Sequence, residues 1–322
     1  MSGRRWSALL VGGLALLAGD TRAQEPFQML LKPIAIFDSH LYAGTLLAPR
    51  GIAFDRRSGE VLVADTGNHL VGIFTAEGVP VFATGRSDAL REPTRLVADK
   101  GGHLLVLDID RTRIKRLSYR GEPLGALELP GIAEPHDFGA IAVDEDGNLY
   151  VGENESGQVI EYSPDLKMKL RFGSRGDEPG QFQSIAGIAS DKDFIYVVDH
   201  RATPVQVFDR RGDLVRSWGR HDMGRENFSL PEAVVVDSKH RVIVVDALRH
   251  EIKFFDQDGQ FLDRFGGLGA RAGQVAFPAD IAIDAQDHLY VVERGNSRVS
   301  VFEELEGEAL KAELRRAPPP SR

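Results

Sequence analysis

Six carboxylates recur at one place in the pattern of this chain: Asp65, Asp108, Glu153, Asp199, Asp246 and Glu293 each close a short apolar run. Carboxylate oxygens are the ligands of Ca²⁺, and together with histidine nitrogens they hold Zn²⁺, so metal-assisted chemistry is the first to weigh. A metal needs ligands converging from a few places. These acids instead stand at the same place in every repeat, where a short carboxylate accepts backbone N–H groups and fixes a tight loop. Loop fixing is the reading they favour, and no metal-ligand set is assigned. The histidines divide by position: His103, His240 and His288 fall in polar turns, where solvated side chains are expected. The sequence has no cysteine, which excludes thiol nucleophiles, thiolate metal sites, disulfides and covalent c-type haem. There is no Gly-x-Ser-x-Gly elbow, and the glycine-rich stretches 121–125 and 267–273 precede no helix, so they read as turns rather than phosphate cradles. No catalytic residue is assigned.

The elements that would position such groups come from a repeat. A short strand ending in aspartate closes at Asp55, Asp99, Asp144, Asp191, Asp237 and Asp284, at intervals of 44 to 47 residues. Each unit continues through a polar turn, a second apolar run ending in the acids above, a third strand such as 205–209, and a fourth such as 261–266. A period in the mid-forties with several strands per unit is that of a propeller blade, not a helical solenoid. The first two strands are almost unbroken Val/Ile/Leu/Ala runs, as strands buried on both faces require. The expected fold is all-β: a six-bladed β-propeller of four-stranded antiparallel blades.

In such a ring the loops entering the first strands and leaving the second strands gather around one mouth of the channel. Arg50, Thr94, Gly139, Ala186, Glu232 and Ala279 start the first strands, with Asp280 next in line. His200, Arg201, Arg249 and Arg294 follow second strands. The candidate ligand-binding set is therefore Arg50, Thr94, Glu232, Asp280, His200, Arg201, Arg249 and Arg294. Of these, Arg50, Glu232, Arg201 and Arg294 are expected to converge at the mouth, because equivalent positions of successive blades surround one axis.

The segments VADTGNHL (63–70), ERGNSRVSVF (293–302) and GSRGDEPGQFQSIAGIASD (173–191) resemble NHL repeats, and the resemblance runs from about residue 47 to 303. It implies six blades, and a function that follows only loosely from the repeat. Peptidyl-α-hydroxyglycine α-amidating lyases are similar in using the same propeller, with histidines after proline at the first-strand starts. Here those places hold Arg50, Thr94, Glu232 and Ala279, and His136 lies three residues upstream of its equivalent. Lactonases of the regucalcin type hold a divalent cation with Glu, Asn and Asp. Glu232 and Asp280 would serve, but no matching Asn begins a first strand. The expectation is therefore a binding or scaffold module for a protein, peptide or glycan, needing no cofactor. A lyase or lactonase assisted by Ca²⁺ or Zn²⁺ is the alternative.

The ends read separately. Arg4 and Arg5 precede an apolar run from Trp6 to Ala18, and Thr21-Arg22-Ala23 offers a cleavage site, so residues 1–23 read as a signal peptide. An uncleaved anchor stays open as the other reading. Residues 24–304 form the propeller, and 305–322 a charged tail ending in prolines, with a short helix expected before them. Export to a periplasmic or extracellular compartment follows, with no membrane span once the leader is removed. The net charge of −9 argues against nucleic acid as a partner, and the oligomeric state is not legible. The sixth unit lacks a fourth strand, whereas MLLKPIAIF (29–37) is a strand without a blade. Its pairing with residues near 299–302 is expected to close the ring and remove an open edge.

Overall fold

The computed structural model describes residues 30–84 and 90–305. The leader at 1–23, its cleavage site, and the tail beyond Leu305 with its expected helix lie outside the described residues. Six four-stranded antiparallel sheets form the blades. Taken from the axis outward, blade one is Gly51–Asp55, Glu60–Asp65, Leu70–Thr75 and Pro80–Ala83. Blade two is Pro93–Ala98, Leu104–Asp108, Ile114–Leu117 and Pro123–Ala126, and blade three Phe138–Val143, Leu149–Glu153, Gln158–Tyr162 and Met168–Phe172. Blade four is Ile185–Ser190, Phe194–Asp199, Val205–Asp209 and Leu214–Trp218; blade five is Pro231–Val236, Val242–Asp246, Glu251–Phe255 and Phe261–Gly266. Blade six takes Pro278–Ile283, Leu289–Glu293 and Arg298–Leu305 from the end of the chain, and Leu30–Phe37 from its beginning. Each innermost strand touches that of the next blade, and the sixth touches the first. The ring is closed.

Closure joins the strands expected to pair, with Phe37 opposite Val299, Pro33 opposite Phe302 and Leu30 opposite Leu305. A bulge between Pro33 and Ala35 absorbs the proline, which has no N–H to give to the ladder. The third strand of this blade runs to Leu305, so strand pairing continues to the boundary of the expected tail.

The core is divided among the seams between blades, not gathered in one place. Phe37, Ile52, Val63, Phe74, Tyr290 and Val301 pack blade six on blade one, and a comparable cluster fills each of the other five seams. This is why the second strands carry no polar alternation: both faces of Val61, Leu62, Val63 and Ala64 are sealed. Each such Val or Leu contributes about 1.5–3 kcal/mol when buried. Near the axis the blades approach so closely that side chains no longer fit. A Cβ on Gly51 would stand 2.7 Å from the Thr94 carbonyl oxygen, and one on Gly139 only 2.0 Å from that of Ile185.

At the lower face the six repeat aspartates cap the turn between first and second strands. Asp144 Oδ1 accepts the Asn148 N–H at 2.8 Å, and Asp237 Oδ1 that of Arg241 at 2.8 Å. The turn histidines are not merely solvated: His103 and His288 pair with Asp99 and Asp284, and His240 lies beside Asp191.

Candidate functional site at the channel mouth

The acids that close the second strands are held in the loops, as the repeat argument required. Asp199 accepts the backbone N–H groups of Gln183, Ser184, Arg201 and Ala202. Asp246 accepts those of Ser229 and Leu230, and Glu153 those of Glu155 and Ser156. All six are buried, at 0–2 % exposure, and none of them lines the channel.

The mouth is instead built by a bulge. In blade two Pro93 pairs with Asp108 and Arg95 with Leu107, so Thr94 is an extra residue. The same irregularity sets off Gly139, Ala186, Glu232 and Ala279, and Arg50 holds the matching place in blade one. A bulge bends the strand and re-aims its side chains. In blades two and six it is the residue after the bulge, Arg95 and Asp280, that lines the channel.

Arg95 is the residue that one-per-blade reasoning missed. Its guanidinium donates to the Glu232 carboxylate at 3.2 Å and to the backbone oxygens of Thr94 and Arg50 at 3.2 and 3.4 Å. Blades two and five are opposite members of the ring, so this ion pair spans the channel. His200 adds a second partner, its Nε2 lying 3.3 Å from the same Glu232 oxygen. Burial works to raise the Glu232 carboxyl, but His200 and Arg95 outweigh it and hold the group below its ordinary value. Asp280, next to the bridge, accepts the N–H groups of Ile52 and Ile281 at 3.1 and 2.9 Å. Burial dominates there and lifts its carboxyl to about 6. Arg50 is half-buried, and burial together with the nearby Arg294 guanidinium lowers its pKa, against the opposing pull of Glu232.

The structure thus brings Arg50, Glu232, Asp280, His200 and Arg294 of the expected set together with Arg95. The other expected residues are placed differently. Thr94 is buried, its hydroxyl donating to the Leu107 carbonyl. Arg249 is spent on the loop that enters blade five, where it binds Gly224 O at 2.7 Å and Ser229 Oγ at 3.0 Å. Arg201 is exposed beside His200, and its side chain makes no hydrogen bond or ion pair among the described residues. His136 turns to Glu134 at 3.2 Å and stacks on Phe138. Arg95 was legible in principle: it is the second residue after the proline that begins its strand, as Asp280 is.

Beneath the bridge the channel encloses about 1320 Å³, walled by all six innermost strands and rimmed at the lower face by turn residues such as Arg56, Lys100 and Lys192. At the mouth Glu232 is taken by Arg95 and His200, and Asp280 by two backbone donors, so neither presents the free oxygen set that Ca²⁺ or Zn²⁺ demands. Among the described residues no three His, Asp or Glu side chains stand close enough together to hold a metal ion.

The NHL repeat model matches residues 46–74 and 276–302, the two stretches that flank the closure seam. Among solved structures, a gluconolactonase from Xanthomonas campestris is similar over 86 % of this chain and 90 % of its own, at 16 % identity and a TM-score of 0.60. A luciferin-regenerating enzyme matches over 87 % and 96 %, at 14 % identity and 0.59. Virginiamycin B lyase from Staphylococcus aureus matches over 87 % and 89 %, at 13 % identity and 0.56. At these identities the likeness is one of fold.

Proposed function

We propose that this chain, a six-bladed propeller carrying NHL repeats, is an exported binding module that engages a protein, peptide or glycan partner through its channel mouth. One observation carries the reading. Arg50 and Arg294 lie near each other at the mouth, Arg294 over the Phe277 ring at 5.8 Å and Arg50 within reach of the Glu232 and Glu92 charges. Neither guanidinium makes a side-chain hydrogen bond or ion pair among the described residues, while Arg95 is shared with Glu232. Two guanidiniums that raise each other's cost are an arrangement that an incoming acceptor group relieves. The closed ring keeps the surface in shape, which lowers the ordering cost of binding. The test is capture from the exported fraction and from a glycan panel by the wild-type protein and by Arg50→Ala/Arg294→Ala. Ligands retained equally by both proteins would remove the mouth from the reading.

A second reading, a metal-assisted lyase or lactonase, is favoured by the activities of the similar structures. The residues at the mouth do not fit a divalent cation. Metal analysis of the purified protein separates the two: a stoichiometric, tightly held Zn²⁺ or Ca²⁺ would favour the enzyme.

A further inference from the structure

Comparing the six blades with one another points to a second site, distinct from the mouth. The residue two places before each second-strand acid lies opposite a fixed position of the third strand. Lys115 stands opposite Val106, Lys253 opposite Val244, Ser300 opposite Val291, Gln206 opposite Val197, Gly72 opposite Val63 and Ile160 opposite Val151. In blade two the Lys115 ammonium reaches Asp108, and in blade five the fully buried Lys253 ammonium reaches Asp246 at 3.3 Å and also donates to the Asn227 carbonyl of the loop between blades. In blade six Arg298 pairs with Glu293 at 2.7 Å. Gly72 of blade one leaves room for His40, which binds Asp65 at 2.7 Å. Blade four fills the place with the Gln206 amide, bound to Gly180 N and Gln181 O.

Blade three differs. Ile160 cannot supply a polar group, and Glu153, 2 % exposed, has only neutral donors, as Asp199 of blade four does: the N–H groups of Asp137, Glu155 and Ser156 and the Ser156 hydroxyl. But where blade four fills the space with Gln206, blade three leaves it open. A pocket of about 300 Å³ opens at this point, between the inter-blade loop 131–135 and the third strand, with Glu153, Ile160, Gln158 and Arg171 in its walls. Glu134 and Glu155 stand exposed at its rim. The Arg171 guanidinium is drawn to the Gly131 carbonyl and to Met168 Sδ at 3.5 Å.

We infer that this pocket binds a primary alkylammonium group, which takes the place that a lysine ammonium occupies in blades two and five. A buried carboxylate surrounded only by neutral donors gains from a cation of the right size, and the loop carbonyls at the rim are where the Lys253 ammonium finds its second acceptor in blade five. The volume accommodates a short alkyl stem against Ile160, with the charged end directed at Glu153.

The probe is n-butylammonium, with n-butanol as its neutral counterpart, titrated into methyl-labelled protein. Saturable shifts of the Ile160 and Ile132 methyls with the amine, and at least about tenfold weaker binding of the alcohol, are expected. Equal response to both compounds would overturn the inference, since the pocket would then be only an apolar hole, and so would an absence of saturation. Ile160→Lys, which copies blades two and five, is expected to abolish the amine response of the Ile132 methyl while melting no lower than the wild type. An unchanged response in that variant would place the amine elsewhere. None of these readouts depends on the residues of the mouth.

Discussion

Arg95 of blade two and Glu232 of blade five meet at 3.2 Å across the axis of the ring, so one ion pair roofs the channel. Both side chains are largely withdrawn from solvent, at 15 % and 21 % exposure. Removing one partner strands the other charge where water reaches it poorly. Arg95→Met is expected to lower stability by about 1–3 kcal/mol. Arg95→Met/Glu232→Met should cost less than the sum of the two single changes. Urea unfolding of the four proteins checks this; simple additivity would mean that the pair contributes nothing as a pair.

Asp280 predicts a pH dependence of unusual sign for a carboxylate. Its folded pKa is raised by burial from 3.8 to about 6, so the folded state keeps a proton that the unfolded state releases. The stabilisation is fully present below about pH 4 and is lost as pH rises through about 6. A shift of this size corresponds to roughly 2–3 kcal/mol. Asp280→Asn is expected to gain on the wild type progressively between pH 4 and 6.5, measured as the difference in urea midpoints. A difference that stays flat over that range would contradict the assignment.

His40 supplies from outside the blade what Gly72 cannot supply from within. The imidazole fills the space beside Gly72 and binds the fully buried Asp65, which also accepts the Leu47 N–H at 2.8 Å. His40→Ala leaves both a cavity and a carboxylate short of a donor, and is expected to cost about 2–4 kcal/mol. His40→Gln should recover part of that loss, as thermal unfolding would register.

The closing strand makes its own prediction. Deleting residues 24–38 strips Phe37 from the seam between blades six and one and exposes the edge of Arg298–Leu305. A melting temperature lower by several degrees and increased light scattering on heating are expected. Unchanged melting would show that the strand is dispensable.

What could be read in the sequence was local or periodic. The spacing of Asp55 through Asp284, the sealed Val/Leu runs and the capping acids depend on neighbours within one blade. The orphan strand 29–37 was visible because the last unit lacked exactly one such element. Arg95 was not visible in that way. Its partner lies 137 residues away, and the two meet only because the ring closes and a bulge turns each side chain inward. Arg249 is drawn away for the opposite reason: its repeat position faces the mouth, but the loop 220–229 offers its guanidinium nearer acceptors. Position in a repeat fixes where a residue starts, not what its side chain reaches.

The pairing of Leu30 with Leu305 has a consequence for how the molecule is made. The strand that emerges from the ribosome first is the last to find a partner, so it must wait through five blades of synthesis. A chain broken off anywhere before Val299 carries that strand as an unclaimed edge, with Leu31 and Phe37 uncovered. Such an edge is a handle for chaperones and proteases. Because the two ends of the ring lie side by side, a short linker from residue 305 to 30 would allow new ends to be cut in the exposed loop between blades four and five, near Met223. The rearranged chain would form blade six within a single continuous stretch and carry no waiting strand at all.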